Sequence, residues 1–343
     1  MKAAILYGKE DIRVEEVPVP KPGRGELLVR IKTALTCGTD LKVYARGYHA
    51  RMIQPPARFG HEFSGIVEEI GPAVTRWRPG TRVVAANSAP CRACFTCQRG
   101  QVNLCEELLF VNGAYAEFLL LPERIVRENL LEIPSSLSFQ AAALTEPLAC
   151  VVRGIRAAAP QAGETAVLLG AGPVGLMFAQ LLQNAGARVL LVGKGAQRLE
   201  QARRIGVESV FDLEQVGDLV ETVRAQTVQA RGADLVIEAV GQARAWEAAM
   251  ALTRPGGRAL LFGGCPSGTR VPLDADKMHY GEQTLLSVFH HTPEAIREAL
   301  GLLAKGIVKP DLLVTQEAPL QGLPELFGRM LRDKDSVKTA VIP

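Results

Sequence analysis

Four of the seven cysteines in this chain lie within the segment CRACFTCQRGQVNLC (91–105). They follow the spacing C-x2-C-x2-C-x7-C, and they are Cys91, Cys94, Cys97 and Cys105. Loops this short allow four thiolates to converge on one ion, which is the closed tetrahedral pattern of structural zinc. Iron–sulfur ligation and disulfides are the rival interpretations. We expect structural zinc, and an ion with all four positions filled by protein cannot bind a substrate.

Two loops nearer the N-terminus carry a different set of metal-ligand types. TCGTD (36–40) contains Cys37, and GHEFSG (60–65) contains His61 and Glu62. Together they offer one sulfur, one nitrogen and one oxygen, and a catalytic zinc needs three protein ligands with a fourth position open. Taken singly they are weak signals, because a cysteine is often a small buried hydrophobe. The three together are candidates for a catalytic zinc site.

The segment GAGPVG (170–175) fits the glycine pattern of a dinucleotide-binding turn. It follows a strand-like run, TAVLLG (165–170), and opens a helical pattern, which is the context that this motif requires. Its first glycine permits a tight turn, its second lets the backbone approach a pyrophosphate, and its third lets helix and strand pack closely. The residues that we expect at the cofactor here are Gly170, Gly172, Pro173, Val174 and Gly175.

The next strand lacks the acidic residue of an NAD-specific protein. An Asp or Glu about twenty residues after the glycine turn would bind the ribose 2′-hydroxyl, but Gly193 stands there in LLVGKGAQR (190–198). Lys194 and Arg198 follow, and cations without a nearby carboxylate suit a 2′-phosphate. Ordinary solvated charges at a helix start are the alternative interpretation. The sequence leans towards NADP, and use of both cofactors stays open.

The segments that must position these residues show two different sequence patterns. Up to about residue 150, short β-type runs alternate with Gly/Pro turns, which indicates an all-β, barrel-like domain. After residue 155, six apolar strands, of which TLLSVF (284–289) is the last, alternate with helical stretches, which predicts a doubly wound parallel sheet. The chain ends in SVKTAVIP (336–343), a predicted closing strand. The predicted fold class is α/β.

The composition of the chain argues against some classes of function. The chain has 343 residues, of which 48% are hydrophobic and 22% are charged, as in soluble proteins of two domains. A net charge of +3 argues for neither nucleic acid nor an anionic membrane surface. We identify neither a signal peptide nor a membrane span. We therefore expect a cytoplasmic protein, in which clustered cysteines indicate metal binding or catalysis.

The motifs, taken in order, resemble those of the zinc-dependent medium-chain alcohol/polyol dehydrogenases, with the sorbitol dehydrogenase-like group first and the threonine dehydrogenase-like group second. The matching segments are CGTD (37–40), GHEFSGIVEEIGPAV (60–74), the four-cysteine segment, GAYAEF (113–118), TEPLACVVRG (145–154), GAGPVG (170–175) and SVKTAVIP (336–343). The resemblance implies a GroES-like (chaperonin-10-like) β-barrel catalytic domain at 1–153 and 290–343, with a structural zinc lobe at about 88–108. It implies a Rossmann NAD(P)-binding domain at 154–289.

The resemblance also implies roles for single residues. The three candidates of the N-terminal loops match the ligands of a catalytic zinc. Glu146 matches a glutamate that sorbitol-type members hold near the metal, directly or through water. Thr39 matches the hydroxyl that carries the alcohol proton outwards, and Asp40 matches a partner for the imidazole N–H of His61. The implied catalytic residues are Cys37, Thr39, His61, Glu62 and Glu146, and all of them except Thr39 are metal candidates.

The implied reaction is hydride transfer between a secondary alcohol of a polyol, sugar or related metabolite and NAD(P). Zinc acts as a Lewis acid on the alcohol, and the nicotinamide accepts the hydride. Two zinc ions per chain are implied, one catalytic and one structural. Because members of the family are commonly dimers or tetramers, we expect a homo-oligomer that binds a small-molecule alcohol and neither nucleic acid nor membrane.

Some positions depart from the family's pattern. Lys42 stands where many members have a histidine that ends a proton relay. Either Lys42 takes over that task or the proton leaves another way, and contact with a cofactor phosphate is the alternative role for Lys42. His290 and His291 replace the Arg-Tyr pair with which sorbitol dehydrogenases grip polyol hydroxyls, which argues against sorbitol itself. The two histidines either line the substrate pocket or have their hydrogen bonds satisfied at a domain hinge. The residues after the cysteine ligand that we expect to shape the pocket are Tyr44, Tyr48 and His49.

Four other functions are alternatives. An L-threonine 3-dehydrogenase-type enzyme shares CGTD, GHEFSG and Glu62. The zinc-free quinone or enoyl reductase branch is disfavoured because it needs neither Cys37 nor a four-cysteine lobe. A zinc-bearing nucleic-acid module would require a basic stripe or exposed aromatics, and aromatics are only 5% of this chain. A non-catalytic zinc- and NAD-binding interaction protein is disfavoured by the open set of three ligands.

Overall fold

The computed structural model describes residues 1–49, 52–333 and 335–343. These residues form two compact units. The first unit comprises Met1–Ala149 and His291–Pro343, and the second comprises Cys150–His290.

The strands are numbered in chain order through both units. The first unit contains β1 (Lys2–Gly8), β2 (Asp11–Glu16), β3 (Leu27–Leu35), β4 (Ala57–Arg58), β5 (Glu62–Ile70), β6 (Arg82–Ala85), β7 (Ser88–Ala89), β8 (Leu109–Phe110), β9 (Phe118–Leu121), β10 (Leu130–Glu132), β17 (Val314–Pro319) and β18 (Lys338–Ile342). The second unit contains β11 (Thr165–Leu169), β12 (Arg188–Gly193), β13 (Ser209–Asp212), β14 (Ala233–Glu238), β15 (Thr253–Leu261) and β16 (Thr284–Ser287).

The helices are numbered in the same way. They are α1 (Gly38–Arg46), α2 (Phe95–Gln98), α3 (Glu123–Glu128), α4 (Phe139–Ala143), α5 (Thr145–Ala158), α6 (Pro173–Asn184), α7 (Ala196–Ile205), α8 (Leu219–Arg224), α9 (Ala243–Leu252), α10 (Ala275–Tyr280), α11 (Pro293–Ala304) and α12 (Leu323–Arg332). Short 3-10 turns lie at Val102–Leu104, Val228–Ala230, Pro310–Leu312 and Leu320–Gly322.

A seven-stranded sheet organises the first unit. Its order is β10-β6-β5-β3-β18-β17, and β9 also pairs with β3. Leu35, at the end of β3, lies opposite Glu62 at the start of β5, and it lies opposite Ala340 of β18 on its other side. The loop that follows Leu35 carries Cys37. Strand pairing therefore brings three segments that are distant in sequence to one corner of the sheet.

An aromatic cluster fills the core beside this sheet. The rings of Phe59, Tyr115 and Phe327 pack at centroid separations of 5.6 to 5.9 Å. Tyr44 joins them from α1, because its ring is 5.5 Å from that of Phe327 in an edge-to-face arrangement. The expectation that Tyr44 shapes a substrate pocket is therefore wrong, since α1 buries this residue in the core.

The second unit contains a six-stranded parallel sheet of order β13-β12-β11-β14-β15-β16. β11 is buried at every position, as expected for a central strand covered on both faces. The strand order reverses between β11 and β14, and ligands of such sheets bind outside the carboxyl ends of the strands at this point. Gly175 permits α6 to pack there, because a Cβ atom on it would lie 1.9 Å from the carbonyl oxygen of Gly170.

Candidate functional site

Strand pairing and one helix start bring Cys37, His61 and Glu62 together. Cys37 is the N-cap of α1, where its Sγ accepts the N–H of Thr39 at 3.4 Å. His61 precedes β5 and Glu62 begins it. One ligand atom from each of the three lies within 4.8 Å of the other two. A sulfur, a nitrogen and an oxygen at these distances can hold one zinc ion, whose bonds to such atoms are about 2.0–2.3 Å long.

Asp40 orients the imidazole of His61. Its Oδ1 atom lies 2.8 Å from His61 Nδ1, and its Oδ2 atom lies 2.8 Å from the hydroxyl of Tyr115. All three side chains are buried. A carboxylate at Nδ1 keeps the proton on that nitrogen, so Nε2 presents its lone pair to a metal. Tyr115 was not predicted from the sequence. Its position in GAYAEF (113–118), one of the segments that match the family, was the available signal for a role at the site.

The electrostatics of this group favour a cation. Burial lowers the pKa of His61, but the charges of Asp40 and Cys37 outweigh burial and raise that pKa well above its ordinary value. Glu62 adds a third acidic group beside the same imidazole, and it is fully buried. Because buried charges require compensation, this donor set fits a divalent cation.

Lys338 holds one oxygen of Glu62. Its Nζ forms an ion pair with Glu62 Oε2 and donates a hydrogen bond to the carbonyl oxygen of Thr36 at 2.8 Å. The other carboxylate oxygen, Oε1, is buried and has no hydrogen-bond partner within residues 1–49, 52–333 and 335–343. Since an unsatisfied buried acceptor costs about 1–3 kcal/mol, the orphaned Oε1 fits a metal ion as its partner. Sequence reasoning missed Lys338, and a lone lysine within an apolar strand was the only signal.

Glu146 and His291 form a second buried polar group in the first unit. Glu146 lies in the first turn of α5, and burial raises its pKa to about 7. His291 Nε2 is 3.8 Å from Glu146 Oε1 and 3.4 Å from both Ser88 Oγ and Asn87 Oδ1. His290 belongs to the second unit, has a φ of +64° and stacks on Phe289.

The four clustered cysteines converge as their spacing predicts. The Sγ atoms of Cys91 and Cys97 are 4.0 Å apart, and those of Cys94 and Cys105 are 3.8 Å apart. Four thiolates around one zinc ion, with Zn–S bonds of about 2.3 Å, would lie about 3.8 Å from one another. A disulfide would need about 2.05 Å, and all four thiols are free. The geometry fits a single structural metal ion.

Backbone N–H groups point at these sulfurs. The N–H of Cys91 lies 3.2 Å from Cys105 Sγ, and the N–H of Cys94 lies 3.3 Å from Cys91 Sγ. A hydrogen bond from Thr96, with backbone N–H groups, lowers the pKa of Cys94 to about 6. Burial raises the pKa of Cys97 to about 12. Bound zinc requires thiolates, and the N–H groups around the lobe stabilise that form.

The glycine turn of the second unit has the shape of a phosphate cradle. Gly170 adopts a φ of +120°, and nothing lies within 4 Å of the place where a Cβ atom of Gly172 would stand. Pro173 and Val174 follow as the first residues of α6, so the amide groups at its N-terminus face this opening. The free space beside Gly172 and the close packing of α6 at Gly175 together fit a bound pyrophosphate.

Gly193 ends β12 against this turn. A Cβ atom on it would lie 2.3 Å from the Cβ of Ala171. The close approach of the two turns therefore excludes an acidic side chain at this position. Lys194 follows and lies 3.6 Å from Glu214 in an exposed ion pair. Arg198 lies in the first turn of α7.

The remaining predicted residues lie on or after α1. Thr39 is partly buried in the first turn, beside Cys37, and Lys42 is exposed on the same helix. Tyr48 is 49% exposed, and His49 Nδ1 accepts the N–H of Met52 at 3.1 Å. Their contributions to a pocket stay predictions.

Comparisons with known proteins agree with this geometry. The alcohol dehydrogenase GroES-like domain model matches residues 23–134, and the zinc-binding dehydrogenase model matches residues 173–305. A sorbitol dehydrogenase of Bacillus subtilis (strain 168) is 30% identical, covering 100% of this chain and 97% of its own length. An L-threonine 3-dehydrogenase of Rhizobium johnstonii is 32% identical over 79% of each chain. A solved zinc-binding dehydrogenase of Sinorhizobium meliloti 1021, bound to NADP, has a TM-score of 0.90 and 32% identity, covering 100% of this chain and 99% of its own.

The chain therefore belongs to the zinc-dependent medium-chain dehydrogenases, with a GroES-like domain and a Rossmann-like domain. Within that family it is a zinc-dependent NAD(P) oxidoreductase that acts on secondary alcohols. The predicted fold class, family and enzyme class are confirmed. Among the helices that the structure describes, none has both the length and the apolar character that crossing a membrane requires.

Proposed function

We propose that this enzyme transfers a hydride between NADP and a secondary hydroxyl of a polyol, sugar or related metabolite. The zinc chemistry is assigned to the first unit, Met1–Ala149 and His291–Pro343, and cofactor binding to the second, Cys150–His290, whose bounds lie within four residues of the predicted ones. The observation that carries the proposal is the convergence of Cys37, His61 and Glu62 within 4.8 Å, with one oxygen of Glu62 unpaired. A second, structural zinc is assigned to the four-cysteine lobe.

The residues around the three ligands support the acid–base part of this reaction. A bound zinc ion would supply Lewis-acid polarisation of the substrate oxygen. Asp40 fixes the tautomer of His61 and so directs Nε2 towards the metal position. Glu146, whose pKa burial raises to about 7, can take up or release a proton at neutral pH. Thr39, partly buried beside Cys37, would carry the alcohol proton outwards.

The substrate class is supported by the relatives and by the buried polar group of Glu146. The similar proteins are named for sorbitol and for L-threonine, which both carry secondary hydroxyls. His291, Ser88 and Asn87 add hydrogen-bonding groups around Glu146. Polar groups of this kind discriminate strongly between substrates that have and lack a matching hydroxyl.

A substrate panel tests the proposed function. Polyols, aldoses, inositols and threonine are offered with NADP and with NAD, and nicotinamide absorbance is followed. We expect one polyol or sugar to give the highest kcat/KM. Threonine as the best substrate would instead establish the amino-alcohol reaction. No turnover of any secondary alcohol by the zinc-replete protein would refute the proposal.

The preference for NADP is supported by the end of β12. Gly193 places no carboxylate near a 2′-phosphate, and the amino group of Lys194 is exposed on the following residue. Arg198 adds a second cation in the first part of α7. A phosphate dianion forms stronger charge-assisted contacts than the single carboxylate of Glu214, which Lys194 now faces. We therefore assign Gly193, Lys194 and Arg198 to 2′-phosphate recognition.

A Lys194→Ala variant is expected to raise KM for NADP by about three- to tenfold and to leave KM for NAD nearly unchanged. The effect follows from the loss of one exposed cation beside the 2′-phosphate, and added salt should reduce it. Arg203→Ala is the matched control, because Arg203 lies on α7 and pairs with Glu200 at 3.6 Å. Equal effects on both cofactors, or a wild-type preference for NAD, would contradict the assignment.

We further propose a cytoplasmic homo-oligomer, either a dimer or a tetramer. Within the described residues none of the seven cysteines forms a disulfide, which is typical of a reducing compartment. β16 lies at the edge of the parallel sheet, and its outer backbone groups can pair with a second copy about a two-fold axis. Light scattering of the purified chain, of 36.9 kDa, gives the assembly mass.

A further inference from the structure

Glu238 is a buried carboxylate that neither zinc site uses. It is the last residue of β14 and has no exposed surface. It therefore lies at the carboxyl edge of the parallel sheet, next to the point between β11 and β14 where the strand order reverses. An acidic side chain is almost never fully buried unless it has partners. The hydrogen-bond partners of Glu238 indicate its role.

Glu238 holds two neighbouring turns at once. Its Oε1 atom accepts the N–H groups of Val240 and Gly241, both at 2.7 Å. Its main-chain oxygen accepts the N–H groups of Phe262 and Gly263, both at 3.0 Å. The first pair belongs to the turn after β14 and the second to the turn after β15. One residue thus fixes both turns at the carboxyl edge.

These turns pack too closely to tolerate displacement. A Cβ atom on Gly263 would lie 2.2 Å from the nitrogen of Gly241 and 2.7 Å from Glu238 Oε2. Gly241 has a φ of +79°, so the turn after β14 adopts a conformation that few other residues reach. Trp246 closes the arrangement, because its Nε1 donates to the carbonyl oxygen of Gly263 at 3.0 Å.

The turn after β14 also contacts the first glycine of the dinucleotide motif. A Cβ atom on Gly170 would lie 3.1 Å from Val240 Cγ2 and 3.3 Å from the carbonyl oxygen of Ala239. Val240 is nevertheless 38% exposed, so it presents apolar surface beside the glycine turn. This is the crevice in which doubly wound sheets bind their dinucleotides.

We propose that Glu238 is a positioning residue for the cofactor, which fixes residues 239–241 as a preformed wall of the dinucleotide site. The inference rests on the NAD(P) binding of the second unit, and it adds a residue outside the glycine motif to that site. Glu238 Oε2 makes no hydrogen bond within the described residues. Burying a carboxylate costs stability unless partners compensate, and the partners of Oε1 are the two N–H groups of the turn that faces the cofactor.

Removal of the carboxylate leaves the N–H groups of Val240 and Gly241 without an acceptor, so the turn will populate other conformations. Apparent affinity falls in proportion to the fraction of molecules in the binding-competent conformation. We expect Glu238→Ala to raise the Kd for NADPH about tenfold, with kcat at saturating cofactor within about twofold of the wild type. Glu238→Gln keeps an acceptor oxygen and should stay within about threefold of the wild-type Kd.

The test is a titration of nicotinamide fluorescence with NADPH and NADH, accompanied by thermal unfolding. Glu164→Ala is the matched control, because Glu164 is a partly buried carboxylate of the same unit that pairs with Arg258 at 2.6 Å. It precedes β11 and so lies at the opposite, amino edge of the sheet. Weakened cofactor binding in Glu238→Ala alone, restored in Glu238→Gln, would support the proposal. If Glu238→Ala does not fold, Glu238→Asp, whose shorter side chain cannot reach both N–H groups, takes its place.

Two results would overturn the inference. The first is wild-type affinity for NADPH in Glu238→Ala or Glu238→Asp. The second is a loss of affinity in Glu164→Ala that matches its loss of thermal stability, because Glu238 would then act through stability alone. Failure of the proposed function is distinguishable from both, since the wild-type chain would then bind neither NADPH nor NADH.

Discussion

A Cys37→Ser variant is expected to contain one zinc ion per chain where the wild type contains two, and to lose a factor of about 1,000 or more in kcat/KM. The substitution removes a thiolate, which binds zinc strongly, and introduces a serine hydroxyl, which binds zinc far more weakly. The fold should survive, because Cys37 is the N-cap of α1 and serine is a preferred residue at that position. Elemental analysis, steady-state kinetics and thermal unfolding measure the three effects separately.

Cys265→Ser is the matched control for this substitution. It makes the same chemical change at a partly exposed cysteine of the second unit that forms no disulfide and lies outside the two clusters assigned to zinc. Two zinc ions and wild-type kinetics are expected in that variant. If Cys37→Ser keeps both ions and full turnover, the Cys37, His61 and Glu62 group is not the catalytic centre.

Local spacing predicted the parts of the site that local structure builds. The four cysteines converge because the short loops between them keep their side chains close together. Their sulfur separations of 3.8 and 4.0 Å suit one zinc ion. The glycine turn likewise depends on a strand, a tight bend and a helix that are adjacent in sequence. Such motifs carry their own geometry, so the sequence alone was sufficient.

Contacts between distant segments were not predictable in this way. Lys338 meets Glu62 across 276 residues, because β18 and β5 flank β3 in one sheet. Tyr115 meets Asp40 across 75 residues. No spacing rule encodes such pairs, since they depend on strand order and register. Tyr44 was misplaced for a related reason, because the burial of one face of α1 depends on packing against the distant Phe327.

The ends of strands were also less predictable than their existence. The apolar run TLLSVF (284–289) predicted a strand up to Phe289, but β16 ends at Ser287. Its last partner is Leu261, where β15 itself ends. Hydrophobicity identifies residues that can enter a sheet, whereas the length of the neighbouring strand determines how many find partners.

A Lys338→Met variant is expected to lose about 3–5 kcal/mol of unfolding free energy. The methionine fills a similar volume but leaves the carboxylate of Glu62 buried without its counter-charge. Burial lowers the pKa of Lys338, yet the charge of Glu62 outweighs burial and raises that pKa above its ordinary value, so the ammonium form is present at neutral pH. Urea unfolding at pH 7 measures the loss. Lys305→Met, at an exposed position, is the control and should change stability by less than about 0.5 kcal/mol.

The dependence of this loss on zinc tests whether Glu62 binds the metal. If Glu62 Oε1 is a zinc ligand, the ion supplies positive charge to the same carboxylate, and the loss caused by Lys338→Met will be smaller in the zinc-loaded protein than after chelation. If Glu62 only forms the ion pair, zinc will not change the loss. Lys338→Arg keeps the charge and should retain most of the stability in both states, because a guanidinium also pairs with a buried carboxylate. A zinc-independent loss in Lys338→Met would therefore reduce the protein ligands that this group offers the catalytic ion to Cys37 and His61.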